Sequence, residues 1–197
     1  MVLIPVADDE VATIVTTLEM RTRPPLRPMP VTPLRLVHWQ TPTLEAYRRL
    51  FTRIGAPWLW FSRLAMDEAR LVETLAEPAR RIFAVADPRG IEVGLLELDS
   101  PGGDVVDIAY FALVPELAGK GHGRWLMAQA MALAWAPGVA CIRVRTCTLD
   151  HPSALSFYRA QGFVATARTI ETFPDPRALG LLPADAASQI PYLASRR

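Results

Sequence analysis

The stretch that decides the fold runs from Ile108 to Leu126 and reads IAYFALVPELAGKGHGRWL. A predicted strand ends at Val114-Pro115, a loop with a glycine at every second position follows, and a helix then begins. Glycines allow close backbone approach, and successive N–H groups at a helix N-terminus favour a bound phosphate. The spacing GxGxG matches neither a P-loop nor a GxGxxG dinucleotide fingerprint. At this point an ordinary strand–helix loop remains an open alternative.

Strands and helices alternate on both sides of this stretch. Strands are predicted at Leu34 to Trp39, Ile82 to Ala86, Ile91 to Leu98, Val105 to Val114, Ala140 to Leu149 and Val164 to Phe173. Helices are predicted from Pro42 to Gly55 with Thr41 as the N-cap, from about Asp67 to Leu75, and from about Gly121 to Ala136. A last helix is predicted with Pro152 in its first turn and Gly162 just after its end. Hairpin-connected strands come early, and a strand–helix–strand–helix–strand run comes late, so the fold class is α/β.

The two ends of the chain differ from the middle. Residues 1–33 hold one β-branched stretch from Val11 to Met20 and five prolines between Arg21 and Pro33, which suit neither helix nor central strand. We therefore expect an N-terminal arm at 1–33, with a possible strand at Val11 to Met20, and the main α/β domain at 34–173. A proline-containing tail follows at 174–197.

Composition excludes several classes of function. The chain has 197 residues, 51% of them hydrophobic, and Lys+Arg 21 against Asp+Glu 20 give a net charge of +1. This balance offers no attraction to nucleic acid or to an anionic membrane. The N-terminus lacks a basic region, and no apolar run is long enough to span a bilayer. Cys141 and Cys147 lie too far apart on one predicted strand for a disulfide, which fits a cytoplasmic location.

A second stretch, Thr146 to Phe163 (TCTLDHPSALSFYRAQGF), identifies the pattern. Together the two stretches resemble the GCN5-related N-acetyltransferase superfamily, which shows V-x-P-x-x-R-G-x-G-x-G before a helix and N-x-x-A-x-x-x-Y-x-x-x-G-F about thirty residues later. Residues 114–123 match the first motif, and residues 151–163 match the second. Ala118 stands where Arg or Gln is usual, and His151 stands where Asn is common.

The resemblance implies a mixed, largely antiparallel sheet with flanking helices, in which two central strands splay to admit acetyl-CoA as co-substrate. Backbone groups of Leu113 and Val114 would pair with the pantetheine arm. The phosphates would meet the loop and the helix start. The cofactor-binding residues that the resemblance implies are Leu113, Val114, Gly119, Lys120, Gly121, His122, Gly123, Arg124, His151, Ser153 and Tyr158.

The resemblance also implies direct acetyl transfer to a primary amine in a ternary complex. Tyr158 matches the family's tyrosine near the cofactor sulfur and is the candidate general acid, with core packing as its alternative role. Asp107 and then Glu97 are the candidate general bases, although both could be solvated carboxylates and water could serve instead. Glu116 suits the surface better.

The acceptor pocket is expected near the aromatic cluster Trp58, Trp60 and Phe61, which could equally close the core. No spacing typical of a metal site occurs, so no metal is expected. The expected partners are a small-molecule or peptide amine and a second copy of the chain, reached by the proline-rich arm. A non-catalytic acyl-CoA-binding module is the alternative function, favoured if Ala118 reflects loss of a phosphate contact.

Overall fold

The computed structural model describes residues 2–25 and 28–193, so parts of the expected arm and tail (1, 26–27 and 194–197) lie outside the described residues. The strands are β1 Glu10–Met20, β2 Arg35–His38, β3 Arg80–Ala86, β4 Glu92–Asp99, β5 Val105–Leu113, β6 Cys141–Cys147 and β7 Val164–Pro174. The helices are α1 Leu44–Gly55, α2 Glu68–Leu75, α3 His122–Ala134 and α4 Ala154–Ala160.

The seven described strands form one sheet in the order β2-β3-β4-β5-β6-β1-β7. The β5–β6 pair is parallel, and the other neighbouring pairs are antiparallel. The mixed, largely antiparallel α/β sheet expected from the sequence is therefore confirmed.

The strand predicted in the N-terminal arm is present, but it does not stand apart from the domain. β1 lies between β6 and β7 and pairs with both of them. Val11, Leu18 and Met20 on this strand are buried. The leader thus supplies an interior strand of the sheet, and the sheet continues across the boundary expected at residue 33.

Helix ends follow local capping chemistry. The N-cap of α1 is Thr43, two residues after the expected cap Thr41, because the Thr43 hydroxyl accepts a hydrogen bond from the Ala46 N–H at 3.2 Å. α3 is apolar around most of its circumference and buries Trp125, Leu126 and Met127 against the sheet. This packing fixes the helix whose N-terminus follows the glycine loop.

Candidate functional site

A cleft opens where β5 and β6 separate. Their register runs only from Val105 opposite Cys141 to Ile108 opposite Val144, although β5 continues to Leu113. Beyond Ile108, the peptide groups of β5 that face β6 have no strand partner among the described residues. The resulting cleft has a volume of about 450 Å³ and is lined largely by apolar and aromatic side chains. The splayed central strands expected from the sequence are thus present.

The backbone of β5 offers fewer free groups than the sequence analysis expected. The N–H of Val114 donates to the Val93 carbonyl at 2.9 Å, and its carbonyl accepts from the Leu117 N–H at 3.0 Å. Val114 therefore lines the cleft with both peptide groups already bonded. Because peptide groups along a strand alternate in direction, those of Leu113 face the gap left by β6. Leu113 is the residue of this pair that can bond an extended ligand.

The glycine loop closes one end of the cleft. Gly119 and Gly121 have φ values of +73° and +82°, a left-handed conformation that favours glycine. Gly121 is the N-cap of α3 and offers no side chain, so the first N–H groups of the helix are left for a ligand. Gly119, Gly121, Gly123 and Arg124 all line the cleft. This arrangement is suited to an anionic group at the helix start.

Two residues of the expected phosphate loop do not line the cleft. Lys120 is exposed, and the His122 ring faces the N-terminal segment, where its Nδ1 lies 2.9 Å from the Thr32 hydroxyl. The segment between β1 and β2 therefore packs on the first turn of α3.

His151 stands where the motif commonly has Asn, and its ring bonds the start of the next helix. Its Nδ1 accepts a hydrogen bond from the Ser153 N–H at 3.1 Å and lies 2.8 Å from the Ser153 hydroxyl. A ring nitrogen can thus bond the backbone before α4 as an amide oxygen would. The ring also packs edge-on against Trp58, with ring centroids 5.3 Å apart.

Tyr158 lines the cleft from α4, opposite the splayed strands. Its ring is 7% exposed and packs against Phe111, Phe157 and Phe163 at centroid distances of 5.6–6.1 Å. Within the described residues its hydroxyl has no hydrogen-bond partner. Burial, and then the negative charge of Asp150, raise the pKa of the Tyr158 phenol well above its ordinary value. The phenol therefore stays protonated at neutral pH and can act as a proton donor.

Neither carboxylate favoured by the sequence as a general base lies in the cleft. Asp107 is held in a two-point ion pair with Arg143, with distances of 2.5 and 2.7 Å. Glu97 is completely buried, accepts a hydrogen bond from the Tyr47 hydroxyl, and pairs with Arg63 at 3.0 Å. Both groups are committed to cations within the fold, so the structure does not bring them to the reacting groups. Glu116 is exposed, as expected.

The structure brings a different carboxylate to the cleft. Asp150, at the end of β6, is the only Asp or Glu among the described residues that lines it. Its Oδ2 accepts from the Thr146 hydroxyl at 2.7 Å and from the Cys147 N–H at 2.9 Å, and its Oδ1 accepts from the Trp60 indole at 3.2 Å. The sequence analysis missed this residue, although it directly precedes His151 in the second motif.

The aromatic cluster divides into two parts. Trp58 and Trp60 line the cleft together with Tyr110, whose ring centroid lies 5.1 Å from that of Trp60. Phe61 points elsewhere and stacks on Phe173 at 4.8 Å. Trp60 also packs against the main core, whereas Trp58 is not part of that cluster. Of the three candidates, Trp58 thus has the fewest structural duties.

The residues that the structure describes contain no cluster of three His, Cys, Asp or Glu side chains arranged to hold a metal ion. None of the described helices is long and apolar enough to cross a membrane.

Comparison with known proteins agrees with this geometry. The family model for the acetyltransferase (GNAT) domain matches residues 78–165, which run from just before β3 into β7. No curated protein matches the sequence at a significant level.

Three solved structures share the fold. A GCN5-related N-acetyltransferase from Sphaerobacter thermophilus has a TM-score of 0.58 at 11% identity, over 82% of this chain and 51% of that one. An acetyltransferase from Thermus thermophilus has a TM-score of 0.53 at 21% identity, over 73% of this chain and 98% of that one. A conserved protein of unknown function from Staphylococcus epidermidis has a TM-score of 0.54 at 10% identity, over 84% of this chain and 63% of that one. At these identities the likeness concerns the fold alone, and this chain spans 51% and 63% of the first and third of these structures.

Proposed function

Since this protein carries an acetyltransferase domain of the GNAT family over residues 78–165, we propose that it transfers the acetyl group of acetyl-CoA to a primary amine. One observation carries the proposal. The gap between β5 and β6 joins a left-handed glycine loop at a helix N-terminus to an unpartnered, protonated tyrosine. An extended thioester with a phosphate at its far end fits this path.

The residues that would hold acetyl-CoA differ in what they supply. The α3 N-terminus and the N–H groups from Gly119 to Gly123 would receive the pyrophosphate, with Arg124 adding positive charge. The peptide groups of Leu113 would pair with the pantetheine amides in the manner of an added strand. His151 and Ser153 would shape the wall before α4. Lys120 and His122 would contribute through their backbone, and Lys120 would also add positive charge near the loop.

The proposed reaction proceeds in one complex. An acceptor that arrives as an ammonium ion first gives one proton to solvent. The neutral amine then attacks the thioester carbonyl, so that a C–N bond forms and the C–S bond breaks. The departing sulfur takes a proton from the Tyr158 hydroxyl, and the amine nitrogen loses one proton to solvent. Tyr158 then recovers its proton from water, and no acyl-enzyme forms.

Binding and turnover can be tested separately. Thermal-shift titration should show stabilisation by coenzyme A, because a ligand that binds only the folded state raises its stability. Thiol release from acetyl-CoA should then require an amine from a panel of acceptors. Binding without amine-dependent release would favour the acyl-CoA-binding module, for which the missing side chain at Ala118 gives a physical reason. Absence of binding would reject both functions.

Gly121→Val tests the phosphate cradle. A β-branched residue is strained at φ +82°, and its side chain would intrude where the pyrophosphate approaches. We expect coenzyme A affinity to fall by about tenfold, roughly 1.4 kcal/mol, as measured by calorimetry. Gly90→Val is the matched control, because Gly90 has a similar φ of +84° in a hairpin turn outside the cleft. A Cβ atom added at Gly90 would have no other atom within 4 Å. Equal coenzyme A affinity in the two variants would contradict the assignment of the phosphates to this loop.

Trp58→Ala tests the acceptor wall. Because Trp58 lies in the cleft and outside the main core cluster, its loss should raise the acceptor KM severalfold and leave the acetyl-CoA KM unchanged. Steady-state kinetics with both substrates varied measures the two constants. Phe61→Ala is the comparison, since Phe61 stacks on Phe173 away from the cleft. It should lower thermal stability without a selective effect on the acceptor KM. A Trp58 variant that only melts earlier would assign this residue to packing.

A further inference from the structure

The acceptor end of the cleft combines one carboxylate with three aromatic rings. From this combination we infer that Asp150 binds the ammonium group of the acceptor, and that Trp58, Trp60 and Tyr110 receive an apolar, ring-sized body attached to it. The inference rests on the proposed function and names the class of amine: a cationic amine next to an apolar group, rather than a polyamine or an amino acid with a free carboxylate.

The hydrogen bonds of Asp150 leave room for such a ligand. A carboxylate accepts about four hydrogen bonds, two at each oxygen. Its three protein donors are the Thr146 hydroxyl, the Cys147 N–H and the Trp60 indole, and only the last one bonds Oδ1. One acceptor position on Oδ1 is therefore unused within the described residues. The three bonds also fix the orientation of the carboxylate, which prepares it for a ligand before binding.

The charges around the cleft favour a cation at Asp150. No Lys or Arg side chain of the described residues pairs with Asp150, in contrast to Asp107 and Glu97. The arginines that line the cleft are Arg124, in the first turn of α3, and Arg145, an exposed residue of β6. The charge of Asp150 thus remains uncompensated, and it contributes to raising the pKa of Tyr158 and of the Cys147 thiol. An ammonium group would supply the missing positive charge.

The aromatic wall specifies what the ammonium is attached to. Trp60 donates its indole N–H to Asp150 and packs beside Tyr110, so the rings begin where the carboxylate ends. Trp58 extends the wall on the His151 side. Aromatic faces attract both apolar groups and a nearby cation. Of the described Lys and Arg side chains, only Arg124 and Arg145 line the cleft, and Arg124 lies at the helix start beside the glycine loop. A carboxylate on the acceptor would therefore have only the exposed Arg145 to pair with at this end.

The experiment uses two acceptors that share a benzyl group and differ in charge. Benzylamine is an ammonium ion at neutral pH, whereas O-benzylhydroxylamine is uncharged and still nucleophilic. In Asp150→Asn we expect the benzylamine KM to rise about tenfold or more, as loss of a charged hydrogen bond requires. The KM of O-benzylhydroxylamine should change less than about threefold, and coenzyme A affinity should stay unchanged. A merely structural role for Asp150 would shift both acceptors together.

Controls separate this inference from the proposed function. Asp67→Asn, at the N-cap of α2 outside the cleft, should leave both acceptor KM values as they are. If Asp150→Asn loses coenzyme A binding, the inference is tested on the wild-type protein alone. Its KM for benzylamine should be at least tenfold below its KM for ethanolamine. Equal KM values for benzylamine and ethanolamine in the wild-type protein would overturn the inference. So would an equal effect of Asp150→Asn on the KM values of benzylamine and O-benzylhydroxylamine. Release of thiol with polar amines but not with benzylamine would overturn it and leave the acetyltransferase standing, whereas absence of release with every amine would reject both.

Discussion

Tyr158→Phe should lower kcat by about 100-fold or more while coenzyme A affinity stays within about twofold of wild type. General acid catalysis typically contributes 10²–10⁴-fold, and this substitution removes only the hydroxyl that would protonate the departing thiolate. The ring should keep its packing against Phe111, Phe157 and Phe163, because the phenylalanine ring has the same shape. Single-turnover thiol release gives the chemical rate directly.

The same variant carries a signature in its pH dependence. In the unfolded chain the phenol of Tyr158 loses its proton at about pH 10, whereas burial keeps the folded form protonated above that pH because its pKa is raised. The folded state then binds more protons than the unfolded state, so stability falls as pH rises beyond about 10. Tyr158→Phe should reduce this alkaline loss of stability, measured by denaturant unfolding at about pH 9 to 11 with pH-matched wild type.

A kcat within about twofold of wild type, with chemistry rate-limiting, would contradict the catalytic prediction and leave Tyr158 as a packing residue.

The parts of the fold set by local sequence were predictable. The glycine loop is an example, since glycine at alternate positions after a strand permits the left-handed φ values of Gly119 and Gly121. α3 is another example, since apolar residues occupy most of its circumference in the sequence and Trp125, Leu126 and Met127 are buried. Each of these features depends on residues within one or two turns of chain.

The pairing of strands that lie far apart in the chain could not be predicted from the sequence pattern. The β-branched stretch from Val11 to Met20 predicted a strand, but nothing in it indicated that β1 would lie between β6 and β7, more than 120 residues away in the chain. A β-branched strand followed by prolines is equally compatible with a free arm. Only the free edge of β6, which is formed later in the chain, selects its position.

Contacts with residues distant in sequence explain why the candidate site differs from the one expected from the sequence. Asp107 and Glu97 resembled active carboxylates in the sequence, and each is taken by an arginine that the chain supplies from elsewhere, Arg143 and Arg63. Asp150 belongs to the loop before the second motif, where its hydrogen bonds to Thr146 and Cys147 could equally describe a turn. Its role depends on Trp60, 90 positions earlier, which reaches it only after folding.

Glu97 is where we expect the largest effect on stability. Its carboxylate is inaccessible to water and is bound by Tyr47 and Arg63, with Arg80 at 3.9 Å. Glu97→Gln keeps the size of the side chain but leaves the buried Arg63 without its counter-charge. Breaking a buried ion pair from one side costs about 3–5 kcal/mol, so we expect a loss of that order in the free energy of unfolding. Urea denaturation with an unchanged m-value measures it.

Two further variants show whether the loss comes from uncompensated charge. Removing both charges, as in Glu97→Leu with Arg63→Met, should restore part of the stability, because an apolar pair of similar volume has no desolvation penalty. The buried Tyr47 hydroxyl loses its acceptor in this variant, so the recovery should be incomplete. Glu73→Gln breaks an exposed pair with Arg70 and should change stability by less than about 1 kcal/mol. The double variant should nevertheless weaken acceptor binding, since the Arg63 guanidinium lies 5.1 Å from the centre of the Tyr110 ring that lines the cleft. A double variant as unstable as Glu97→Gln would mean that shape, rather than charge balance, holds this part of the core together. Glu97 would then support the cleft through packing alone.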